Sequence, residues 1–404
     1  MNDRTEKRMA RWVSQRWILD NIIRAVGPEW DQGRVNHAIS VVGAGLISEA
    51  NKIRSNVKKF SDIVREFERA GKVREKRAFE EEAAGHRVSA RESYFAAALL
   101  FGYASWPFFE DDNPMLTELN DRKNVCYDKY IRLADHHVER VEVPFRGGNL
   151  PGLFHLPASY DDSKPLPVVV AIGGMDSFKE TRVSLYGDKL LQRGFGVLTV
   201  DGPGQGEALI ARKIRFRNNN FDSVGTSCID YLSKRKEIDM NHISASGSSM
   251  GSYWVPRMIS AEKRFISGAV TYVCHEPKMS TLFDSASPSF KLRYMWMSGI
   301  FDEEEFDRST DILTLEGIGP TIKVPLLIVA GEDDDLSPIE YTYNFYNSLG
   351  GSKTLMIYEG DKHNISNPFW ADRLSDWLLD RTSNKPMKSQ ILYITMNGDI
   401  IEKE

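Results

Sequence analysis

The 404-residue sequence has little cysteine and no long apolar run, and these absences narrow the classes of protein to consider. Its three cysteines, Cys126, Cys228 and Cys274, are scattered, and none stands in C-x-x-C spacing. They support neither a disulfide framework nor a thiolate zinc site, and they favour a reducing compartment. The charged residues 1–7 precede no apolar run long enough for a signal peptide or a spanning helix. We therefore expect a cytoplasmic protein that does not bind a membrane.

An excess of one charge sign is also missing, because the net charge is only −5. Nothing here predicts a nucleic-acid partner. Apolar residues make up 41% of the chain and include eight tryptophans, which is enough for a large core. The length predicts roughly two to three domains. No internal repeat or low-complexity tract is present.

Residues 5–135 show helical apolar spacing, with runs predicted near 5–26, 34–50, 52–84, 87–105 and 115–135. No strand-like alternation of useful length precedes residue 138. The sequence therefore predicts an all-helical N-terminal domain over residues 1–137.

From residue 138 the pattern changes to alternating strands and helices. Residues 138–145 and 150–156 predict an antiparallel hairpin around Gly147 and Gly148, and residues 166–172 predict a buried strand. Further strands are expected at 194–200, 242–246, 266–273, 324–330 and 353–358, and helices at 221–235, 250–262, 338–348 and 367–381. This alternation is typical of an α/β fold, a mostly parallel twisted sheet flanked by helices, over residues 138–382.

Residues 276–322 interrupt the alternation and are rich in Phe, Met and Trp. We predict an inserted helical lid over the carboxyl edge of the sheet, although the same side chains would also serve as extra core. Pocket candidates are His275, for which simple packing is the alternative, Trp254, Tyr294 and Trp296. The tail, residues 383–404, has one strand-like run that would suit a sheet edge or an oligomer contact. A homodimer is one possibility.

One Gly-x-Ser-x-Gly match, Gly247 to Gly251, lies between a strand-like run and a helix-like run. This is the context of a nucleophile elbow, in which the central Ser249 projects above the sheet at a helix N-terminus. Alone the match is weak, since a Ser/Gly-rich turn would look the same. Its support must come from later residues.

A nucleophilic serine needs a base, and the base needs an orienting carboxylate. After the strand at 324–330 stand Asp333, Asp334 and Asp335, and after the strand at 353–358 stands His363. The order serine, aspartate, histidine on successive strand ends predicts a catalytic triad. Spacing from the preceding glycine and following proline favours Asp334, with its two neighbours as alternatives.

The developing oxyanion needs two backbone donors. One is the N–H of Met250, and the other is expected from Gly174 or Met175 in the loop after the first buried parallel strand. A plain turn is the alternative for that loop. The sequence shows no sign of a metal site or an organic cofactor.

With these residues in view the chain resembles the serine α/β-hydrolases, and one branch in particular. Residues 172–180, 201–207 and 247–251, behind a long helical N-terminal region, resemble the branch containing 2,6-dihydroxypseudooxynicotine hydrolase and fungal heptaketide-shortening hydrolases. The resemblance covers about residues 138–382. It implies hydrolysis of a C–C bond beside a ketone in an aromatic or polyketide-like 1,3-dicarbonyl substrate, through an acyl-enzyme. Other members of the branch behave as esterases.

The resemblance also implies an assisting acid at the position of Asp176, where the family's nicotine-degrading enzyme has glutamate. A neutral carboxyl group would protonate a carbanion-like leaving group or hold the enol, whereas a cap on the following helix is the alternative. The open functional alternatives are a carboxylesterase or thioesterase of a bulky apolar acid, a peptidase, and a non-catalytic ligand-binding module.

Overall fold

Helices form the first part of the computed structural model, which describes residues 9–403 except 32, 218, 368 and 384. The predicted start of the first helix, residues 5–8, lies outside the described residues. The helices are α1 (Ala10–Val26), α2 (Arg34–Val42), α3 (Ile47–Asn56), α4 (Asp62–Ala83), α5 (Arg87–Ala104) and α6 (Pro114–Leu133). As predicted, no strand precedes residue 137 within the described residues.

Two helix boundaries differ from the prediction. The run expected at 34–50 is divided because α2 ends at Gly43, whose φ of 98° is disfavoured for residues with a side chain. The run expected at 52–84 is divided because the Asp62 carboxylate accepts the backbone N–H groups of Lys58 and Lys59, both at 3.1 Å. These local bonds compete with helix continuation and start α4 afresh at Asp62.

The second part is a ten-stranded sheet. Its strands are β1 (His137–Phe145), β2 (Gly148–Leu156), β3 (Leu166–Ile172), β4 (Gly196–Val200), β5 (Ile238–Ser248), β6 (Ser267–Thr271), β7 (Leu326–Gly331), β8 (Lys353–Tyr358), β9 (Gln390–Ile394) and β10 (Ile400–Lys403). The spatial order is β1-β2-β4-β3-β5-β6-β7-β8-β9-β10. All neighbours from β4 to β9 are parallel, and β1, β2 and β10 pair antiparallel.

Helices connect these strands, as the alternation predicts. They are α7 (Lys189–Gln192), α8 (Gly206–Ile210), α9 (Asp222–Leu232), α10 (Met250–Ala261), α11 (Pro288–Ser298), α12 (Glu303–Ser309), α13 (Ile339–Ser348) and α14 (Trp370–Thr382). Helices α11 and α12 fall within the predicted lid. In the tail, β9 pairs in parallel with β8, so this run extends the sheet.

One apolar cluster runs through both parts, from Trp12 in α1 to Ile357 in β8. A buried ion pair also joins them, because Lys123 of α6 lies 2.5 Å from Glu180 in the loop after β3. The helical region therefore packs directly on the loops at one end of the sheet. Among the described residues, no helix has the length and apolarity needed to cross a membrane.

Candidate active site

Ser249 occupies a sharp turn between β5 and α10. Its φ of 55° and ψ of −124° are strained for a residue with a side chain. A Cβ on Gly247 would lie 2.3 Å from the carbonyl oxygen of Gly251, so this close approach requires glycine. The turn holds the serine at the first turn of a helix, where free N–H groups favour negative charge.

Ser249, His363 and Asp334 form a continuous chain of hydrogen-bonding contacts. His363 Nε2 lies 3.1 Å from Ser249 Oγ, and His363 Nδ1 lies 2.9 Å from Asp334 Oδ2. Asp334 Oδ1 also accepts the backbone N–H groups of Leu336 at 2.9 Å and Ser337 at 3.0 Å. The two backbone N–H groups thus fix the Asp334 carboxylate. The His363 ring is held between this carboxylate and the Ser249 hydroxyl.

The three adjacent aspartates have different surroundings. Asp334 is buried beside His363, whereas Asp333 and Asp335 are exposed. The Asp335 carboxylate lies 3.4 Å from Lys362 at the surface. The geometry therefore supports the choice of Asp334 that the spacing favoured.

The environment of His363 favours its protonated form. Burial alone would lower the pKa of the imidazole, but the charge and hydrogen bond of Asp334 outweigh burial and raise the pKa above its ordinary value. A base that gains a proton from Ser249 is therefore stabilised as an imidazolium. This is the electrostatic arrangement that a serine nucleophile needs.

The loop after β3 approaches Ser249 closely. A Cβ on Gly174 would lie 2.9 Å from the Cβ of Ser249, so only glycine fits there. The Gly174 N–H donates to Ser177 Oγ at 3.1 Å and is not free for a substrate. The amide N–H groups of Met175 and Met250 have no acceptor within the described part of the chain. Of the two alternatives for the second donor, the geometry favours Met175.

Gln205, which the sequence analysis did not single out, holds this loop in place. Its side-chain amide is fully buried and donates to the carbonyl oxygens of Gly173 at 3.0 Å and Gly174 at 2.6 Å. Its own Oε1 accepts the N–H of Gly202 at 3.0 Å. The signal was present, because Gln205 lies inside the motif at residues 201–207.

Asp176 lies against the helical N-terminal region. It forms an ion pair with Arg34 of α2. Burial would raise the pKa of its carboxyl group, but Arg34 and His37 lower it below the ordinary value. It is therefore an ionised acid and not a neutral proton donor. Nor does it cap a helix, since the short helix Lys179–Thr181 follows Phe178 and has no side-chain cap.

Further polar side chains from outside the motifs lie around Asp176. The Tyr103 hydroxyl lies 2.7 Å from His37 Nδ1, and Arg182 donates to Ser248 Oγ at 3.0 Å, next to the nucleophile. Burial lowers the pKa of His37 to about 4, so this ring is neutral at pH 7. Cys274, also not predicted, places Sγ 3.9 Å from Ser249 Oγ. No sequence pattern links these side chains, because they come from separate elements.

The four pocket candidates are all buried. Trp254 stacks on Phe221 with ring centroids 3.9 Å apart, and Trp296 donates to Asp111 Oδ1 at 3.1 Å. Tyr294 lies against Phe283 at 5.1 Å. Their contact with a substrate stays a prediction.

His275 is a packed residue in the structure. Its Nδ1 lies 3.1 Å from Thr342 Oγ1, and its ring lies 4.9 Å from that of Phe345. Burial lowers its pKa to about 3, which keeps the ring neutral. Of its two interpretations, the structure supports simple packing. The described residues contain no group of three or more His, Cys, Asp or Glu side chains suited to a metal.

The sequence matches a known protein family. A family model described as "Esterase FrsA-like" matches residues 57–300, more than half of the chain. The α/β hydrolase xenA of Xenoacremonium sinensis is 32% identical over 256 residues, which cover 60% of this chain and 57% of that protein. The α/β hydrolase pydG of an Acremonium species is 31% identical over 57% of this chain and 54% of its own. The chain spans about half the length of the curated relatives it matches.

Solved structures share the architecture. The crystal structure of 2,6-dihydroxy-pseudo-oxynicotine hydrolase matches with a TM-score of 0.74 at 22% identity, covering 89% of this chain and 98% of that one. AbyA5 matches with a TM-score of 0.65 at 18% identity, covering 88% and 95%. The fold is therefore that of an α/β-hydrolase with a helical N-terminal region.

Proposed function

The chain belongs to the FrsA-like esterase family, a family of α/β-hydrolases, and from this we propose that it is a serine hydrolase acting through Ser249, His363 and Asp334. The observation that carries the proposal is the chain of contacts from the Ser249 hydroxyl through His363 to Asp334. It connects three strand ends far apart in sequence. A structural turn would not need this alignment.

In the proposed reaction His363 Nε2 takes the proton of the Ser249 hydroxyl as its oxygen attacks a substrate carbonyl. The N–H groups of Met175 and Met250 stabilise the resulting oxyanion. The intermediate collapses to an acyl-enzyme, and the leaving group takes a proton from His363. Water, activated by the same imidazole, then releases the acid and restores the serine.

We propose that the bond broken is a C–C bond beside a ketone, in an aromatic or polyketide-like 1,3-dicarbonyl substrate. The leaving group is then an enolate, and the His363 imidazolium protonates it on carbon. Asp176 does not supply this proton, because it is ionised and paired with Arg34. Support comes from the apolar surroundings of the nucleophile, where Met175, Met250 and Cys274 are buried.

Hydrolysis of an ester or thioester of a bulky apolar acid is the second candidate. The family description favours it. An alkoxide or thiolate leaving group takes the proton that His363 carries. Like the C–C route, this reaction requires no acid besides His363.

Turnover of two substrates separates the candidates. Purified protein is assayed with benzoylacetone, a 1,3-diketone, and with p-nitrophenyl butanoate, with Ser249→Ala as background. Cleavage of benzoylacetone to benzoate and acetone, or to acetate and acetophenone, is the expected result. Fast ester turnover with intact diketone would contradict C–C cleavage. If both substrates turn over no faster than with Ser249→Ala, the remaining alternative is a non-catalytic ligand-binding module.

The division at residues 137/138, the lid at 276–322 and the tail at 383–404 are proposed as functional units. In this proposal the helical region and the lid select the substrate while the core performs the reaction. The protein is proposed to act on a small apolar carbonyl compound in the cytoplasm. A homodimer remains a prediction from the tail.

A further inference from the structure

Arg293 of α11 is a buried cation with unused hydrogen-bonding capacity. The residue is 2% exposed, and its Nε has no acceptor. Its Nη1 lies 3.4 Å from the carbonyl oxygen of Phe108, a long contact. Within the described ranges no carboxylate lies within ion-pairing distance of this guanidinium. A buried cation without an acidic partner is destabilising unless something else binds it.

A second buried arginine lies beside it. The Arg34 guanidinium stacks on the indole of Trp106 at 3.8 Å, and the Arg293 guanidinium lies 5.4 Å from the same ring. Arg34 pairs with Asp176, but its Nε also lacks an acceptor. Trp106, in the turn after α5, thus positions two guanidinium groups whose Nε donors have no acceptor.

The other carboxylate near this pair is already occupied. Asp31 accepts hydrogen bonds from Ser287, from Ser289 at 2.5 Å and from Trp106 Nε1 at 3.1 Å. It interacts electrostatically with Arg34 but forms no ion pair with Arg293. Neither Asp31 nor Asp176 therefore satisfies the donors of Arg293.

Arg34 lies close to the groups proposed to react. Asp176, the partner of Arg34, is two residues after Gly174, which limits their separation along the chain to about 7 Å. Gly174 itself contacts Ser249. On the other side, a Cβ on Gly33 would lie 3.0 Å from the side chain of Asn364, next to His363. The N-terminus of α2 thus packs between the loop after β3, which carries Asp176, and the loop after β8, which carries His363.

We propose that Arg34 and Arg293 bind an acidic group of the substrate, either a carboxylate or the enolate of a 1,3-dicarbonyl compound. Both are planar, delocalised oxyanions that accept two parallel hydrogen bonds from guanidinium groups. The proposal rests on Ser249 being the nucleophile, since it places the acidic group beside the carbonyl that Ser249 attacks. It assigns recognition to α2 and α11, outside the sheet.

The space beside Arg293 sets a condition on binding. Arg293 and Asp176 line a cavity of about 10 Å³, the size that holds one water molecule. A substrate group reaches Arg293 only if α11 or the N-terminal helices shift. Helix α11 belongs to the proposed lid, so a shift of α11 would be a lid movement.

Binding of benzoate and of its neutral analogue benzamide tests the site without turnover. Calorimetry is carried out on Ser249→Ala, which keeps the arginines. Benzoate is expected to bind at least tenfold more tightly than benzamide. Adding Arg293→Met should raise the Kd of benzoate at least tenfold and change the Kd of benzamide less than twofold. Arg308→Met, the same change on an exposed lid arginine, is the matched control and should alter neither.

Equal affinity for benzoate and benzamide would overturn the proposal, whether or not any variant folds. Unchanged benzoate binding in Arg293→Met would also overturn it. Arg293→Lys keeps the charge but loses the planar fork, so it should bind benzoate with intermediate affinity. Benzoylacetone, titrated from pH 7 to pH 8.5, separates the two acids. The range stays below the pKa of Arg293, which burial lowers to about 9. Binding that strengthens with ionisation and needs Arg293 identifies an enolate, whereas benzoate binding alone identifies a carboxylate.

The binding measurements and the turnover assays can fail separately. If the protein hydrolyses neither test substrate but still prefers benzoate through Arg293, the proposed function fails and the acid site stands. If hydrolysis occurs and the preference is absent, the acid site fails and the function stands.

Discussion

The strand-end loops of the sheet and the surrounding helices contribute different things to the site. The loops after β3, β5, β7 and β8 carry the proposed reacting groups, each within a few residues of a strand end. The helices α2 and α11 contribute arginines that no motif marks. The loops are tightly determined by local geometry, as the strained φ of Ser249 shows.

This difference between loops and helices corresponds to a division between catalysis and the choice of substrate. A nucleophile elbow works only with one backbone shape, so its residues recur in fixed spacing. The side of a binding site can be formed by any helix that reaches the same place. Its residues therefore show no fixed spacing in the sequence. We therefore expect changes in the loops to lower kcat for every substrate and changes in the helices to alter preference between substrates.

Removing the nucleophile should have the largest effect. Ser249→Ala is expected to lower turnover roughly 10⁴- to 10⁶-fold, because the attacking atom is lost. Steady-state kinetics with both test substrates measures it. Ser260→Ala on the same helix α10 is the matched control and should retain activity. If Ser249→Ala retained a tenth of the turnover rate, the assignment of the reacting groups to the strand-end loops would be contradicted.

Replacing the orienting acid should have the next largest effect. Asp334→Asn is expected to lower kcat by up to about 10⁴-fold, because the amide favours the wrong imidazole tautomer. Asp333→Asn and Asp335→Asn are matched controls, since both aspartates are exposed. If either control loses more activity than Asp334→Asn, the triad acid is misassigned.

Loosening the oxyanion loop tests a residue that positions others. Gln205→Ala should lower kcat by about 10- to 100-fold with little change in KM, because the loop that presents the Met175 N–H loses two hydrogen bonds. Kinetics and thermal unfolding are measured together. Gln192→Ala, an exposed glutamine, serves as control. A fall in stability with unchanged kcat would mean that Gln205 is only structural.

Asp176 links the two regions and should affect catalysis modestly. Asp176→Asn is expected to change kcat less than about tenfold with either substrate, since an ionised, paired carboxylate donates no proton. General-acid catalysis typically contributes 10²- to 10⁴-fold. A loss of that size, confined to benzoylacetone, would restore Asp176 as the assisting acid.

The smallest expected effect is a shift of the pH profile. His363 acts as a base only when neutral, and Asp334 raises its pKa above the ordinary 6.5. The rate constant kcat/KM should therefore fall as pH decreases through a midpoint above 6.5. Asp334→Asn should move that midpoint downwards. A midpoint below 6 in the unmodified protein would contradict the electrostatic role of Asp334.

Much of the core could be predicted because its signals are local. Residues 166–172, predicted as a buried strand, and residues 353–358, predicted as a strand, are β3 and β8. Ser249, Asp334 and His363 each lie within five residues of the end of a strand, so parallel pairing brings them to one edge. Strand alternation identifies that edge without any knowledge of packing.

The rest depends on packing between distant segments. Arg34 and Arg293 look like ordinary helix residues, and only the tertiary fold brings both to Trp106. The ion pair of Asp176 could not be predicted for the same reason, because its partner Arg34 lies 142 positions earlier (176 minus 34). The helix breaks at Gly43 and Asp62 were missed because the positive φ of Gly43 and the hydrogen bonds of the Asp62 carboxylate outweighed the apolar spacing.

The most direct test of the account is the mass of the acyl group on Ser249 after rapid quenching with benzoylacetone. The account predicts a benzoyl or acetyl adduct on the peptide containing Ser249, absent in Ser249→Ala. An adduct on another residue would contradict Ser249 as nucleophile. Acylation of Ser249 by p-nitrophenyl butanoate but not by benzoylacetone would contradict C–C cleavage.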